Sequence, residues 1–171
     1  MQESRRLVIV RHAKAEAQGS SDHERRLAER GHDDAVAGGA WLGSAGIVPD
    51  HALVSTARRA LETYAALAEG AGWGLAPDAS RALYVAEPET ALDLVRQAPA
   101  DAGTVVVVGH NPTMATLAQL LEDGEGDPAA SADMLSGGLP TCSLVVFEVD
   151  GAWADLALTG ARLTGFHVGR G

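Results

Sequence analysis

The chain has 171 residues, of which 46% are hydrophobic and 21% charged, a balance typical of one globular domain over residues 1–171 with a core of its own. The formal net charge of −10 argues against general binding to nucleic acid or anionic membranes, and no apolar run is as long as a membrane span. The single Cys142 excludes an internal disulfide framework, and the polar N-terminus lacks a signal-peptide pattern. We therefore expect a cytoplasmic protein.

The first half of the chain alternates between apolar runs and amphipathic segments. The run LVIV at 7–10 is typical of a strand buried on both faces of a parallel sheet, and it stops at Arg11-His12. Ser55 and Thr56 have side chains that commonly cap a helix N-terminus. The elements predicted here are a strand at 7–10, a polar loop at 15–30, a helix from 31 to about 43–46, a strand at 51–54, a helix ending at 70–74 and a short strand at 81–85.

The second half continues this alternation and ends in a predicted hairpin. Glu87 and Pro88 favour a helix start, because proline suits the first turn and an acid suits the positive helix end. Asn111 can cap a further helix that has Pro112 in its first position. The elements predicted here are a helix from 87, a buried strand at 104–108, a helix to about 121, a mobile connection at 122–140, a strand at 142–149, a turn at 150–151 and a returning strand at 153–158.

This order of elements predicts an α/β fold. Strands that alternate with helices form a mostly parallel sheet covered on both faces, and the final hairpin adds an antiparallel element near one edge. We therefore expect a three-layer α/β/α sandwich whose central sheet is mostly parallel.

Basic side chains follow three of the predicted strands. Arg11-His12 follows the first strand, His110 follows the second strongly buried one, and Arg58-Arg59 come shortly after the strand between them. Ligands of open α/β sheets bind beyond the carboxyl ends of parallel strands, so these side chains are expected at one rim. Two histidines, at least two arginines and a helix N-terminus suit a dianionic phosphoryl group. Periodicity does not choose between Arg58 and Arg59.

The two histidines have complementary uses in phosphoryl transfer. A neutral imidazole is a competent nucleophile toward phosphorus, and phosphorylated histidine is labile enough to be hydrolysed in a second step. Arginines supply fixed donors to the phosphoryl oxygens, and their charge disfavours the imidazolium form of a nearby histidine. A second histidine can donate a hydrogen bond to the same oxygens.

Four stretches of the sequence resemble the histidine phosphatase superfamily, and within it the small SixA-like phosphohistidine phosphatases. They are LVIVRHAKAE at 7–16, RRLAERG at 25–31, LVSTARRALET at 53–63 and VVVVGHNPTM at 105–114. Weaker matches are ALYVAEPETAL at 82–92 and LPTCSLVVFE at 139–148. Together these stretches cover most of the chain in the family's order.

The resemblance implies a role for each candidate residue and a phosphoglycerate mutase-like fold without a cofactor. His12 would be the phosphorylated nucleophile. The spacing from Ser55 in the family pattern selects Arg59 rather than Arg58. The other implied members of the phosphate pocket are Arg11, Arg59 and His110, and the further substrate-binding candidates are Arg25, Asn111 and Ser55.

The chain departs from the family pattern at Ala13, where the wider superfamily usually has glycine, and at Glu62, where it has glutamine. Neither change removes a catalytic group. No motif identifies the carboxylic acid that commonly protonates the leaving group. Glu87 is the best positional candidate, and the alternative, which we favour, is a plain helix N-terminal acid. A phosphoramidate leaving group can be protonated on its own nitrogen, so a phosphohistidine phosphatase need not use a strong protein acid.

Other reactive residue types show no matching pattern. His23, His32, His51 and His167 lack metal-ligand spacing, so we expect no metal site. Cys142 lacks the arginine six residues later that a cysteine phosphatase requires.

The leading hypothesis is a metal-independent phosphatase that acts through phospho-His12 on protein phosphohistidine. A second hypothesis keeps the mechanism and changes the substrate to a small phosphomonoester or a phosphorylated cofactor. A third is a non-catalytic phosphate-binding module. A phosphoglycerate mutase is disfavoured, because the chain is too short for that branch's extra helical insertion.

Overall fold

The computed structural model describes residues 4–171, which form a sheet with helices packed on it. The strands are β1 (Arg5–Arg11), β2 (His51–Ser55), β3 (Asp78–Ser80), β4 (Thr104–Gly109), β5 (Ser143–Val149) and β6 (Ala161–Val168). The helices are α1 (Glu29–Ser44), α2 (Arg58–Ala71), α3 (Arg81–Tyr84), α4 (Pro88–Arg96), α5 (Thr113–Leu121) and α6 (Pro128–Gly137). No helix in this part of the chain has the length and apolar content needed to cross a membrane.

The sheet has the strand order β3-β2-β4-β1-β5-β6. The strands β3, β2, β4 and β1 are mutually parallel, whereas β5 is antiparallel to β1 and β6 is antiparallel to β5. The expected fold class is therefore confirmed: an α/β sandwich with a mostly parallel central sheet and an antiparallel edge.

Alternating side chains of the central strands enter two different cores. On β1, Val8 and Val10 belong to the cluster that includes residues of α1 and α2, whereas Leu7 and Ile9 belong to the cluster that includes residues of α4, α5 and α6. All four side chains are fully buried. An unbroken apolar run is what a strand covered on both faces requires, so the first strand prediction is confirmed.

Two segments predicted as strand or loop are helical. The strand expected at 81–85 is wrong: the strand is Asp78–Ser80, and α3 follows because the Ser80 hydroxyl accepts a hydrogen bond from Leu83 N–H at 3.1 Å. The mobile connection expected at 122–140 contains α6, which begins after the capping carboxylate of Asp127 and buries Met134. Both helices use side-chain caps that composition alone did not reveal.

The returning strand expected at 153–158 is also wrong. A 3-10 turn spans Trp153–Asp155, and the returning strand is β6, which begins only at Ala161. Trp153 is buried and its indole N–H donates to the Ala102 carbonyl at 2.8 Å. A buried tryptophan with a satisfied N–H fixes this turn in place of a strand.

Two helix starts differ in detail from the expected caps. The residue before α2 is Ala57, and its N–H donates to the Ser55 hydroxyl at 3.1 Å. The residue before α5 is Pro112 rather than Asn111. The Asn111 side-chain oxygen still accepts from Ala115 N–H at 3.2 Å, so it supports the first turn.

Candidate active site

The register of β1 and β4 brings the two expected histidines together. Arg11 is the partner of Gly109 in the parallel ladder, and His12 N–H donates to the Gly109 carbonyl at 3.0 Å. The next residues of both strands are therefore neighbours, and the rings of His12 and His110 lie with centroids 5.2 Å apart. The expectation that both strand ends meet at one rim is confirmed.

The His12 ring is held in one tautomer by the backbone. Its Nδ1 lies 2.7 Å from the Ala13 carbonyl oxygen. A carbonyl only accepts, so Nδ1 carries the proton and Nε2 keeps its lone pair. Burial lowers the pKa of His12 to about 4, and the charges of nearby arginines act in the same direction. The His12 imidazole is therefore neutral at physiological pH, with its lone pair on Nε2.

Thr63 anchors the backbone segment that holds His12. This fully buried side chain accepts from Ala13 N–H at 3.0 Å and donates to the Arg59 carbonyl at 2.7 Å. The position of the Ala13 carbonyl, and with it the His12 tautomer, therefore depends on α2. Sequence reasoning missed this role, although a threonine four residues after Arg59 on a helix that packs against the sheet is a usable signal.

Arg11 and Arg59 each present a buried donor that lacks a partner. Arg11 Nη1 donates to the Leu139 carbonyl at 2.8 Å, and Arg59 Nη1 donates to the Asp22 carbonyl at 2.7 Å. The Nε atoms of both arginines are buried without a hydrogen-bond partner among residues 4–171. Buried donors are normally satisfied, so two orphaned guanidinium nitrogens indicate a site for an anion.

The choice between the adjacent arginines is also clear. The Arg59 side chain is only 7% exposed, whereas that of Arg58 is 48% exposed and pairs with Glu62 at 3.3 Å. The structure thus buries Arg59 beside Asp22 and His110 and leaves Arg58 on the surface.

His110 is oriented by Ser55 and Arg59. Its Nε2 lies 2.7 Å from the Ser55 hydroxyl, and Arg59 Nη2 donates to its Nδ1 at 3.4 Å. Burial, together with the neighbouring His12 and Arg59, lowers the pKa of His110 to about 3. Because an arginine only donates, Nδ1 is the acceptor and Nε2 carries the proton, which it donates to the Ser55 hydroxyl. We therefore interpret the fully buried Ser55 as a residue that positions His110.

An acidic residue that the sequence did not single out connects the basic groups. The Asp22 carboxylate accepts from Arg59 Nη2 at 3.2 Å, from Arg25 Nε at 3.2 Å and from the Tyr84 hydroxyl at 2.6 Å. The hydrogen bond from Tyr84, together with those from both arginines, lowers the pKa of Asp22 to about 2. Asp22 is therefore ionised. The expected Arg25 joins the site through it.

Aromatic rings line the pocket beside Asp22. Tyr84 makes edge contacts with the rings of His23 and His110, at centroid distances of 4.8 and 5.6 Å. His23 Nε2 lies 2.9 Å from the Thr56 hydroxyl. These contacts join the loop before α1 to the end of β2 and to α3. Tyr84 was missed because its segment was predicted as a strand.

The two remaining candidates lie outside the arginine and histidine cluster. Both ends of the Asn111 amide are taken by backbone groups, since Nδ2 donates to the Leu139 carbonyl at 2.9 Å and Oδ1 accepts from Ala115. Asn111 thus supports the pocket wall. Glu87 is solvent exposed at the N-cap of α4 and makes no side-chain hydrogen bond within residues 4–171.

Other reactive groups do not form a second centre. Within the described part of the chain, no three His, Cys, Asp or Glu side chains gather closely enough to hold a metal ion. Burial raises the pKa of the Cys142 thiol to about 12, which leaves this residue without nucleophilic thiolate at physiological pH.

Known proteins share both the sequence and the fold. Residues 7–84 match the model of the histidine phosphatase superfamily, branch 1. The uncharacterized protein Rv1276c of Mycobacterium tuberculosis is 38% identical over 162 residues, which cover 94% of this chain and 100% of that protein. A SixA protein of Nakamurella multipartitia, assigned to the phosphohistidine phosphatases, superposes with a TM-score of 0.84 at 33% identity, covering 98% of this chain and 97% of that one.

A second solved structure agrees. A SixA protein of Agrobacterium tumefaciens, assigned in the same way, has a TM-score of 0.78 and 30% identity, and the match covers 96% of this chain and 97% of that chain. The chain belongs to the histidine phosphatase superfamily, in its SixA-like branch, and is a hydrolase of the phosphatase class.

Proposed function

We propose that the chain is a metal-independent phosphatase that works through phospho-His12 and removes the phosphoryl group from phosphohistidine on proteins. The observation that carries this proposal is the geometry of His12. It is a neutral imidazole with its Nδ1 proton held by Ala13 and a free lone pair on Nε2. The guanidinium groups of Arg11 and Arg59, whose Nε atoms have no hydrogen-bond partner among residues 4–171, lie close enough for their charges to lower the pKa of His12.

In the first step, the lone pair on His12 Nε2 forms a bond to phosphorus. The bond from phosphorus to the leaving atom breaks, and its electron pair goes to that atom. The phosphorylated ring keeps its Nδ1 proton, and this N–H donates a hydrogen bond to the Ala13 carbonyl. Arg11 and Arg59 bind the phosphoryl oxygens and balance their charge in the transition state.

In the second step, a water oxygen attacks the phosphorus of phospho-His12. The phosphorus–nitrogen bond breaks, and its electron pair returns to Nε2, so His12 is neutral again. Both protons of the water stay on the product, which leaves as dihydrogen phosphate. No metal ion is required, because the arginines supply the electrostatic stabilisation.

Phosphohistidine is favoured as substrate because its leaving group suits this pocket. A phosphomonoester with a poor leaving group needs an acid, and the one positional candidate, Glu87, is exposed at a helix start. A protonated phosphoimidazole leaves as a neutral ring and needs no such acid. The two SixA proteins with 33% and 30% identity, both assigned to the phosphohistidine phosphatases, support the same substrate class.

The test compares wild type with His12→Ala on a peptide that carries one phosphohistidine, in the presence of a chelator. We expect the variant to lose at least about 10³-fold in turnover, since removing a nucleophile removes the covalent route. Wild type should form an acid-labile phosphoenzyme. His32→Ala is a matched control, because His32 is half-exposed and pairs with Glu69 on the surface.

Several outcomes would contradict the proposal. Equal turnover by His12→Ala would exclude His12 as the nucleophile, and loss of activity with chelator would exclude the metal-independent route. Turnover of p-nitrophenyl phosphate alone would point to phosphomonoesters. Phosphate binding without turnover of either substrate would identify a binding module.

A further inference from the structure

The Asp22 carboxylate has an acceptor position that no described residue uses. Tyr84 and Arg59 both donate to Oδ2, whereas Arg25 alone donates to Oδ1 among residues 4–171. A carboxylate offers roughly four lone-pair positions, two on each oxygen. The Asp22 side chain is 57% exposed, so a donor from outside the chain can reach it.

This carboxylate lies beside the phosphoryl site. Asp22 Oδ2 and His110 Nδ1 bind the same nitrogen, Arg59 Nη2, at 3.2 and 3.4 Å. One guanidinium nitrogen therefore separates the carboxylate from the second histidine of the pocket. In an in-line transfer, the leaving group departs on the side of phosphorus opposite His12 Nε2.

The loop also leaves space for such a group. An open depression of about 550 Å³ lies next to Asp22 and Arg25, and its other walls are small or polar. Those walls are Ala17, Gln18, Gly19 and Ser21. An imidazole ring that extends from a protein surface fits this volume.

We propose that Asp22 accepts a hydrogen bond from the ring N–H of the departing histidine, and thereby makes the pocket selective for phosphohistidine over phosphomonoesters. This inference rests on the proposed function. In the step concerned, the phosphorus–nitrogen bond of the substrate breaks and its electron pair goes to that nitrogen. The other ring nitrogen keeps its proton throughout, so the ring leaves as neutral imidazole.

A similar hydrogen bond supports His12, the ring that receives the phosphoryl group. The Ala13 carbonyl accepts the Nδ1 proton of His12 and stabilises the positive ring that forms when Nε2 gains phosphorus. Asp22 would accept a hydrogen bond from the corresponding N–H of the substrate ring while that ring is still positively charged. The phosphoryl group then passes from one imidazole to another, and the free N–H of each ring donates to an oxygen acceptor of the protein.

The carboxylate acts oppositely on a phosphomonoester. When the leaving atom is oxygen, negative charge develops on it, and an ionised carboxylate nearby repels that charge. The hydrogen bonds from Tyr84, Arg59 and Arg25 keep Asp22 ionised, so it cannot supply a proton to the oxygen. One side chain thus favours a nitrogen leaving group and disfavours an oxygen one.

The experiment measures kcat/KM of Asp22→Asn on a phosphohistidine peptide and on p-nitrophenyl phosphate. A hydrogen bond to a charged group contributes enough that we expect a loss of about 10- to 100-fold on the peptide. Activity on p-nitrophenyl phosphate should rise by about 2- to 5-fold, because the repulsion of the developing negative charge is removed. Asp22→Glu keeps the carboxylate and should recover part of the peptide activity.

The control is Asp33→Asn, which removes one negative charge from an exposed position on α1. Inhibition by inorganic phosphate shows whether the arginines remain in place in Asp22→Asn. An equal loss on both substrates, or no loss on the peptide, would overturn the role of Asp22 while leaving the proposed function intact. A wild type that hydrolyses only p-nitrophenyl phosphate would overturn both.

Discussion

The pocket has two halves that are built by different means. Arg11, His12 and His110 stand at the ends of buried parallel strands, where the ladder that pairs Arg11 with Gly109 fixes them. Asp22 and Arg25 stand on a loop and are held by side-chain hydrogen bonds. We call these the strand half and the loop half.

The difference suggests a division of work. The strand half contains the proposed nucleophile, His12, and continues from the sheet core, where Val10 and Val108 are fully buried. The loop half has partly exposed side chains, 57% for Asp22 and 26% for Arg25. Bond formation requires fixed geometry, whereas substrate selectivity depends on the side chains that the exposed loop half places around the leaving group. We expect changes in the two halves to affect different kinetic quantities.

Replacing Arg59 gives the largest expected effect, because this residue touches both halves. Arg59→Ala removes donors to the phosphoryl group, the contact to His110 and the contacts to Asp22. We expect kcat/KM on p-nitrophenyl phosphate to fall by roughly 10²- to 10³-fold, the usual cost of losing a preorganised donor.

The neighbouring arginine is the matched control for this variant. Arg58→Ala removes an equal charge from an exposed side chain that pairs with Glu62, so activity should stay within about 2-fold of wild type. Similar losses in the two variants would show that overall positive charge, rather than the placement of Arg59, drives binding.

The strand half could be predicted from the sequence for a physical reason. Apolar runs at 7–10 and 104–108 are typical of strands buried on both faces, and parallel strands bring their carboxyl ends to one rim. His12 and His110 follow directly from that placement. Arg59 needed the family spacing, because helical periodicity leaves Arg58 and Arg59 equivalent.

The loop half could not be predicted from the sequence, because its contacts join distant parts of the chain. Asp22 meets Arg59 on α2 and Tyr84 on α3, and neither contact leaves a periodic signal. The same limit explains the missed α6, whose helix is stabilised by the burial of Ala130 and Met134 in a stretch that composition marks as loop. Tertiary packing decided these segments.

Replacing Thr63 tests the strand half without touching the phosphoryl group. Thr63→Val keeps the shape but leaves Ala13 N–H, which is buried, without its acceptor, at a cost of about 1–3 kcal/mol in the free energy of unfolding. A loosened Ala13 carbonyl should let the His12 proton move to Nε2, so we expect kcat to fall roughly 10-fold with KM little changed.

Nitrogen NMR of the His12 ring distinguishes positioning from simple destabilisation. In wild type, the Nδ1–H tautomer should persist down to about pH 5, because burial holds the pKa of His12 at about 4. Thr63→Val should show a mixture of tautomers, and Thr63→Ser, which keeps the hydroxyl, should restore both the spectrum and kcat. A variant with lower stability but an unchanged tautomer and kcat would limit Thr63 to a structural role.

The smallest effect is expected for Glu87, which belongs to neither half. It is exposed at the start of α4, and its side chain makes no hydrogen bond within residues 4–171. Glu87→Gln should change kcat/KM by less than about 3-fold on a phosphohistidine peptide, because the departing ring carries its own proton. Alkyl phosphates are the sharper probe, since an alkoxide leaving group requires an acid. A loss above about 30-fold confined to alkyl phosphates would identify Glu87 as a general acid. It would also mean that the pocket favours oxygen leaving groups, contrary to the role proposed for Asp22.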